Sequence, residues 1–475
     1  MAQSTVILHG WSDCSQSFVG MKSFLAKAGI GPVSEIYYAD YESREDHLTF
    51  DDVIDGLNDE FYRRGFITRD GKKKRDLNLI VHSTGGLVIR HWIHQHYLRN
   101  GDRIADCPVK RIVMLAPANF GSPLAHRGKS FLGSLFKGRW KIGDLLEVGR
   151  GLLDGLELAS PYQWELAHRD LLIDEPYFNR GQIQLTSLVG IEDYKGLKGW
   201  VNKPGTDGTI VIAGASVDTL KLKLDFSKDR QPLGAYTPFE WEVKKSVADF
   251  GFGVLQGLDH GSIVDEVGSP QGSLVGELVL RALKTRNAAA FGKLCDDLEQ
   301  VTQETYAATG KDTYQQFILH AVDEYGVSIP DFTVEFFVVP AGKAEPDGTV
   351  RRRPTNVESR LSDDINRILL SQIHTHSRDP SYRRLLVNLR EVKEKLTESE
   401  NVLGRPVVLS MRLYVPDRDR GIRYDVKSLQ NVVLHDPHAA ADAPGFFFPN
   451  TTTLVEMCVN RLCDYVTVSR TPKKH

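Results

Sequence analysis

Ser83 lies in the run Leu79-Ile80-Val81-His82-Ser83-Thr84-Gly85-Gly86-Leu87-Val88, an apolar strand-like stretch that passes through small residues into a helix-like one. A serine hydroxyl is a poor nucleophile at neutral pH, so a chain that uses one must expose it to a histidine base on a sharp bend. Thr84, Gly85 and Gly86 permit that bend, and backbone N–H groups at the start of the following helix can stabilise a developing oxyanion. The chemistry implied is acyl transfer. A Ser-Thr-Gly-Gly loop with no catalytic role carries the same letters, so further residues are required.

The run resembles the Gly-x-Ser-x-Gly nucleophile elbow of the α/β-hydrolase superfamily, in its lipase and esterase branch, over residues 4–270. One departure is Val81, which stands where that motif has its first glycine. His9-Gly10-Trp11-Ser12 follows the first strand-like run and is similar to the family's His-Gly-x oxyanion loop. The resemblance therefore implies Trp11 and Thr84 as main-chain oxyanion donors. It also implies His9, Gly10, His82 and Phe120 as residues lining the substrate site, Phe120 within the lipase-like segment Pro117 to Pro123.

Family order requires an acid and then a base after the serine. Gly205-Thr206-Asp207-Gly208-Thr209 resembles the acid loop, and Leu258-Asp259-His260-Gly261 the base loop. Asp207 would then orient His260, which takes the Ser83 proton and returns it to the leaving alcohol. Asp193 and Asp218 are competing acids, and Asp259 is read as shaping the loop of His260. His126 and His168 precede Asp207 and would break the order.

Positioning such residues needs a layered scaffold. Apolar runs at residues 5–8, 35–38, 77–81, 111–115, 184–189 and 209–212 alternate with helix-period segments at 17–27, 51–64 and 86–98. That alternation predicts an α/β class with a doubly wound, mostly parallel sheet. Residues 128–166 interrupt it with Leu, Phe and Trp among Gly and basic residues, and read as a helical lid or cap. The expected division is a catalytic domain over 1–285, a helical linker over 286–312 and a β-rich C-terminal domain over 313–475. In the last, strands are expected at 316–322, 332–339, 407–414 and 454–462, with helices at 364–373 and 382–396.

Lys and Arg number 59 against 62 Asp and Glu, which opposes binding to nucleic acid through a basic face. His91, His94 and His96 lack metal-site spacing, and His374 and His376 alternate near a helix end without Cys or carboxylate companions in register, so no metal and no cofactor is expected. The five cysteines are scattered without a Cys-x-x-Cys pair, and no cleavable signal precedes the first strand. The expected location is the cytoplasm, with signal-independent export as an effector the alternative.

The expected function is hydrolysis of carboxylic esters, first of lipids, as a lipase or phospholipase. Its expected partner is the lipid or other ester substrate, with peripheral membrane contact through the lid. The alternatives are a soluble esterase, thioesterase or depolymerase under a fixed cap, and a non-catalytic scaffold that binds a ligand or partner.

Overall fold

The computed structural model describes residues 3–8, 16–36, 48–99, 101, 103–125, 150–194, 202–226, 241–246, 248–269, 272–341, 353–416, 422–426, 429, 431–439 and 445–462. The chain begins with β1 (Ser4–Leu8), α1 (Gln16–Lys27), β2 (Val33–Ile36), α2 (Phe50–Arg63), β3 (Leu77–His82), α3 (Gly85–Tyr97) and β4 (Val109–Leu115). Next come α4 (Arg150–Leu156), α5 (Pro161–Asp170) and β5 (Gln184–Gly190). β1, β3 and β5 are buried along their whole length, as expected of strands covered on both faces. The start of α2 is fixed by a capping box in which Thr49 and Asp52 satisfy each other's backbone N–H groups.

After β5 the path departs from the expected alternation. Residues 209–212, read as a strand, form instead a turn that leads into the short helix Ile212–Ala215. β6 (Thr219–Asp225) and β7 (Glu242–Lys245) then leave the first sheet altogether, and the chain returns to it as β8 (Phe250–Leu255). β8 escaped the sequence reading because Phe-Gly-Phe-Gly has weak strand propensity. The glycines have a packing cause: an added Cβ at Gly251 or Gly253 would lie 2.8 Å from a Leu298 methyl. Leu298 belongs to α7 (Ala288–Thr309), which follows α6 (Leu274–Lys284). The expected linker is thus a helix laid on β8.

The first sheet has the order β2-β1-β3-β4-β5-β8, parallel throughout. Chain order reverses between β1 and β3, and in open α/β sheets ligands bind beyond the carboxyl ends of strands at that point.

The C-terminal part contains β9 (Tyr314–Asp323), β10 (Thr333–Pro340), α8 (Asn356–Leu369), β11 (Ile373–Thr375), β12 (Tyr382–Asn388), α9 (Leu389–Leu403), β13 (Val407–Tyr414), β14 (Val432–His435) and β15 (Thr452–Val459). Residues 382–388, read as helix, form a strand, and Asn388 ends it by accepting from the N–H groups of Arg390 and Glu391 to cap α9. The second sheet runs β11-β12-β9-β15-β6-β7, and the third runs β10-β13-β14. β6 pairs with β15 over seven registered positions and with β7, so these two strands, which lie before residue 285 in the chain, share a sheet with the C-terminal strands.

The second sheet is a shared wall. Ile318, Tyr382 and Leu454 join the core of the first sheet, whereas Phe317, Leu319, Leu385 and Val455 join a second core with the third sheet. Among the described residues no helix is long and apolar enough to cross a membrane.

Candidate active site

β3 ends at His82 and α3 begins at Gly85, leaving two residues to reverse the chain's direction. Ser83 absorbs the bend with φ of +54°, a left-handed conformation unfavourable for a residue with a Cβ. Backbone hydrogen bonds hold it there: its N–H donates to Leu115 O at 3.1 Å, and its carbonyl accepts from Ala118 N at 2.9 Å. An added Cβ at Gly86 would sit 2.8 Å from Pro117 Cβ, so the elbow needs its small residue there. Val81 lies earlier, fully buried and in register between Leu8 and Met114, where the sheet accommodates it.

His260 is fully buried and reaches the elbow from the loop after β8. Its Nε2 lies 3.2 Å from Ser83 Oγ, and its Nδ1 lies 3.0 Å from Asp207 Oδ2. The other Asp207 oxygen accepts from Thr209 N at 3.0 Å and Ile210 N at 2.7 Å. With Oδ1 satisfied by the backbone, Oδ2 is directed at the imidazole. A carboxylate facing Nδ1 sets the tautomer with the proton on Nδ1 and leaves the Nε2 lone pair toward the serine.

Comparison with solved structures gives a likeness along the whole chain. Phospholipase PlaB from Legionella pneumophila superposes with a TM-score of 0.75 at 20% identity, covering 100% of this chain and 97% of that one. The same phospholipase in complex with thio-NAD gives 0.73 at 21% identity, with the same coverage. The chain has the α/β-hydrolase fold. Neither a known family model nor a curated protein sequence matches it.

Within this fold the competing residues fall elsewhere. Asp193 lies 3.8 Å from Lys311 Nζ, and burial raises its carboxyl above the usual range. Asp218 Oδ2 accepts from Thr451 Oγ1 at 3.3 Å. Asp259 accepts from the N–H groups of Gly261 and Ser262, the loop-shaping role expected of it. His168 Nδ1 meets Trp164 O at 2.7 Å, and His126 lies outside the described residues.

Thr84 sits directly after Ser83 at the start of α3. His9, Gly10 and Trp11 lie outside the described residues. His82 is buried, with its Nε2 3.1 Å from His260 O. Phe120 is also fully buried, with Arg90 Cζ 5.8 Å from its ring centroid, and so packs the core beneath the elbow.

Arg90 forms a wholly buried pair with Asp170, at 2.7 and 2.9 Å, which ties α3 to α5. Leu152, Leu156, Leu158, Trp164 and Leu166 are buried as well. These apolar side chains of the expected lid, within residues 151–166, are therefore packed into the body of the protein. Residues 128–149 of that segment, including Phe136 and Trp140, lie outside the described residues.

Sequence reasoning missed how the C-terminal strands wall the loop that carries Asp207. Gly205 takes φ of +71° with Tyr314 and Leu386 against it, and an added Cβ would approach the Tyr314 ring to 2.8 Å. Leu386 packs with Leu158, Val211 and Ala213. Nearby, the buried Glu157 accepts from His374 Nε2 at 2.8 Å, from Ser377 N at 3.0 Å and from Ser377 Oγ at 2.6 Å. A separation of 217 residues hid the carboxylate partner of His374 from any local pattern.

Asp154, Glu157 and His376 have ligand atoms within 4.8 Å of one another. The arrangement does not fit a metal. His376 Nδ1 accepts the Asp379 N–H at 3.1 Å, which places the imidazole proton on Nε2, the nitrogen facing Glu157. Asp154 pairs with Arg378 at 3.0 Å, and Glu157 is already satisfied by three donors.

Proposed function

We propose that the protein is a serine hydrolase of carboxylic esters, acting on acyl ester bonds of lipids as a lipase or phospholipase. The observation that carries this reading is His260 placed 3.2 Å from Ser83 Oγ and 3.0 Å from Asp207, at a strained strand-to-helix bend. Ser83 Oγ attacks the acyl carbonyl while His260 Nε2 takes its proton, and Asp207 stabilises the resulting imidazolium. Main-chain N–H groups of Thr84 and Trp11 receive the oxyanion. Collapse expels the alcohol with the proton from His260, leaving an acyl-enzyme. Water, deprotonated by His260, then attacks the acyl carbonyl, and collapse returns the proton to Ser83 and releases the acid.

Lipid as the substrate class is supported by the full-length likeness to a phospholipase. It is also supported by residues 128–149, where Phe131, Phe136 and Trp140 lie among Lys129, Lys137, Arg139 and Lys141, a composition suited to adsorption on anionic lipid. A second reading, a soluble esterase under a fixed cap, is favoured by the buried packing of Leu152, Leu156, Leu158, Trp164 and Leu166.

One experiment tests both. A lipid extract is incubated with wild-type protein or Ser83→Ala, and fatty acids and lysolipids are quantified, alongside p-nitrophenyl esters of increasing chain length. Release from lipid by the wild type alone, with preference for long chains, supports the lipid reading. Hydrolysis confined to short esters supports the fixed cap, and equal release by both proteins contradicts the proposed nucleophile.

A further inference from the structure

His82 is a histidine at the reacting centre that the mechanism above does not use. It ends β3, adjoins Ser83 in the chain and is 2% exposed. Its Nε2 lies 3.1 Å from the backbone carbonyl of His260. A carbonyl oxygen only accepts, so His82 Nε2 carries the proton and donates it. The two imidazole rings lie 4.7 Å apart, centroid to centroid, and tilted by 40°.

The loop of His260 runs beyond the end of β8, its start tied to the segment after β5 by Ile191 N to Leu255 O and Glu192 N to Leu258 O. β8 ends at Leu255, and the helix that follows, Ser262–Asp265, is a single turn. Asp207 holds the base at its backbone N–H, through Asp207 O at 3.0 Å, and at Nδ1. Both of those contacts come from the acid loop. The His82 bond comes from the other side, from the strand that presents the nucleophile. Because His82 and Ser83 share a peptide bond, fixing His260 O to His82 fixes the distance from base to nucleophile.

We infer that His82 is a positioning residue, whose Nε2–H locks the backbone of His260 to the nucleophile strand and whose ring bears on the imidazole that accepts the Ser83 proton. The inference rests on the catalytic reading above for its kinetic consequence. Misplacement of a reacting group by about 1 Å can reduce turnover about a hundredfold, so a hydrogen bond that sets this distance acts on kcat. Substrate affinity is expected to stay unchanged, since His82 is 2% exposed with its ring beside those of His260 and Phe18.

Two substitutions separate positioning from packing. His82→Phe keeps an aromatic ring and deletes the donor, and His82→Gln supplies an amide N–H near the Nε2 position. Both are assayed on a short p-nitrophenyl ester, and the low-field proton resonance of His260 Nδ1–H is followed by NMR. The expected result for His82→Phe is a fall in kcat of about ten- to a hundredfold, KM within about twofold, and a broadened or shifted resonance. His82→Gln restores most of the kcat and the resonance.

Wild-type kcat in His82→Phe, a loss confined to KM, or no rescue by His82→Gln would overturn the inference. If the wild-type protein hydrolyses no ester, the catalytic reading fails separately. The resonance then decides alone: it must be broadened or shifted in His82→Phe and restored in His82→Gln.

Discussion

Ser122 Oγ donates to Thr209 O at 2.7 Å. The N–H of Thr209 donates in turn to Asp207 Oδ1 at 3.0 Å, so the loop after β4 braces the loop of the proposed acid. Ser122→Ala leaves a buried carbonyl without its donor, a loss of about 1–3 kcal/mol to the local structure. The expected outcome is a fall in kcat of a few-fold with KM unchanged, measured on a soluble ester. An unchanged rate would show that the acid loop holds its shape without this bond.

Asp207→Asn keeps the volume of the side chain but removes the acceptor that sets the His260 tautomer. Turnover should fall by about 10^3- to 10^4-fold. Asp193→Asn and Asp218→Asn should stay near wild type, because those carboxylates face Lys311 and Thr451. A large loss in either one, with Asp207→Asn active, would reassign the acid.

The buried pair of Arg90 and Asp170 gives a stability prediction. Removing one partner strands a charge that is fully out of water. Asp170→Ala should destabilise the protein by about 3–5 kcal/mol, read as a lowered denaturation midpoint. A change below about 1 kcal/mol would mean that water reaches Arg90 in the variant.

Acid sensitivity follows from two buried histidines. Burial lowers His91 and His320 from the usual 6.5 to about 4, His91 beside the Tyr162 hydroxyl and His320 stacked on Tyr382 at 3.8 Å. The unfolded chain then binds protons that the folded chain refuses, so stability falls as pH drops from about 6.5 toward about 4. His320→Phe should reduce the slope of thermal midpoint against pH in that window. An unaltered slope would mean that other groups carry the effect.

The sharp bend at Ser83 and the proximity of the Asp207 and His260 loops could be anticipated from the sequence because each lies in a short local pattern whose glycines and serine mark where the chain must bend. The parallel sheet was legible except at β8, where Gly251 and Gly253 sacrifice strand propensity to admit Leu298. Residues 382–388 failed for a related reason, since Leu and Arg favour helix in isolation and it is pairing with β9 and β11 that makes them a strand. The excursion of β6 and β7 into the C-terminal sheet and the meeting of Glu157 with His374 are long-range choices. Local periodicity cannot encode them, because the energy that decides them comes from partners hundreds of residues away.

The central claim is that Ser83 is a nucleophile activated by His260. It is tested most directly by exposing the intact protein to a fluorophosphonate and locating the adduct by peptide mass spectrometry. The account predicts a single covalent adduct on Ser83, absent in Ser83→Ala and strongly slowed in His260→Ala. No adduct at reagent excess, or an adduct on another serine with Ser83 unmodified, would contradict it.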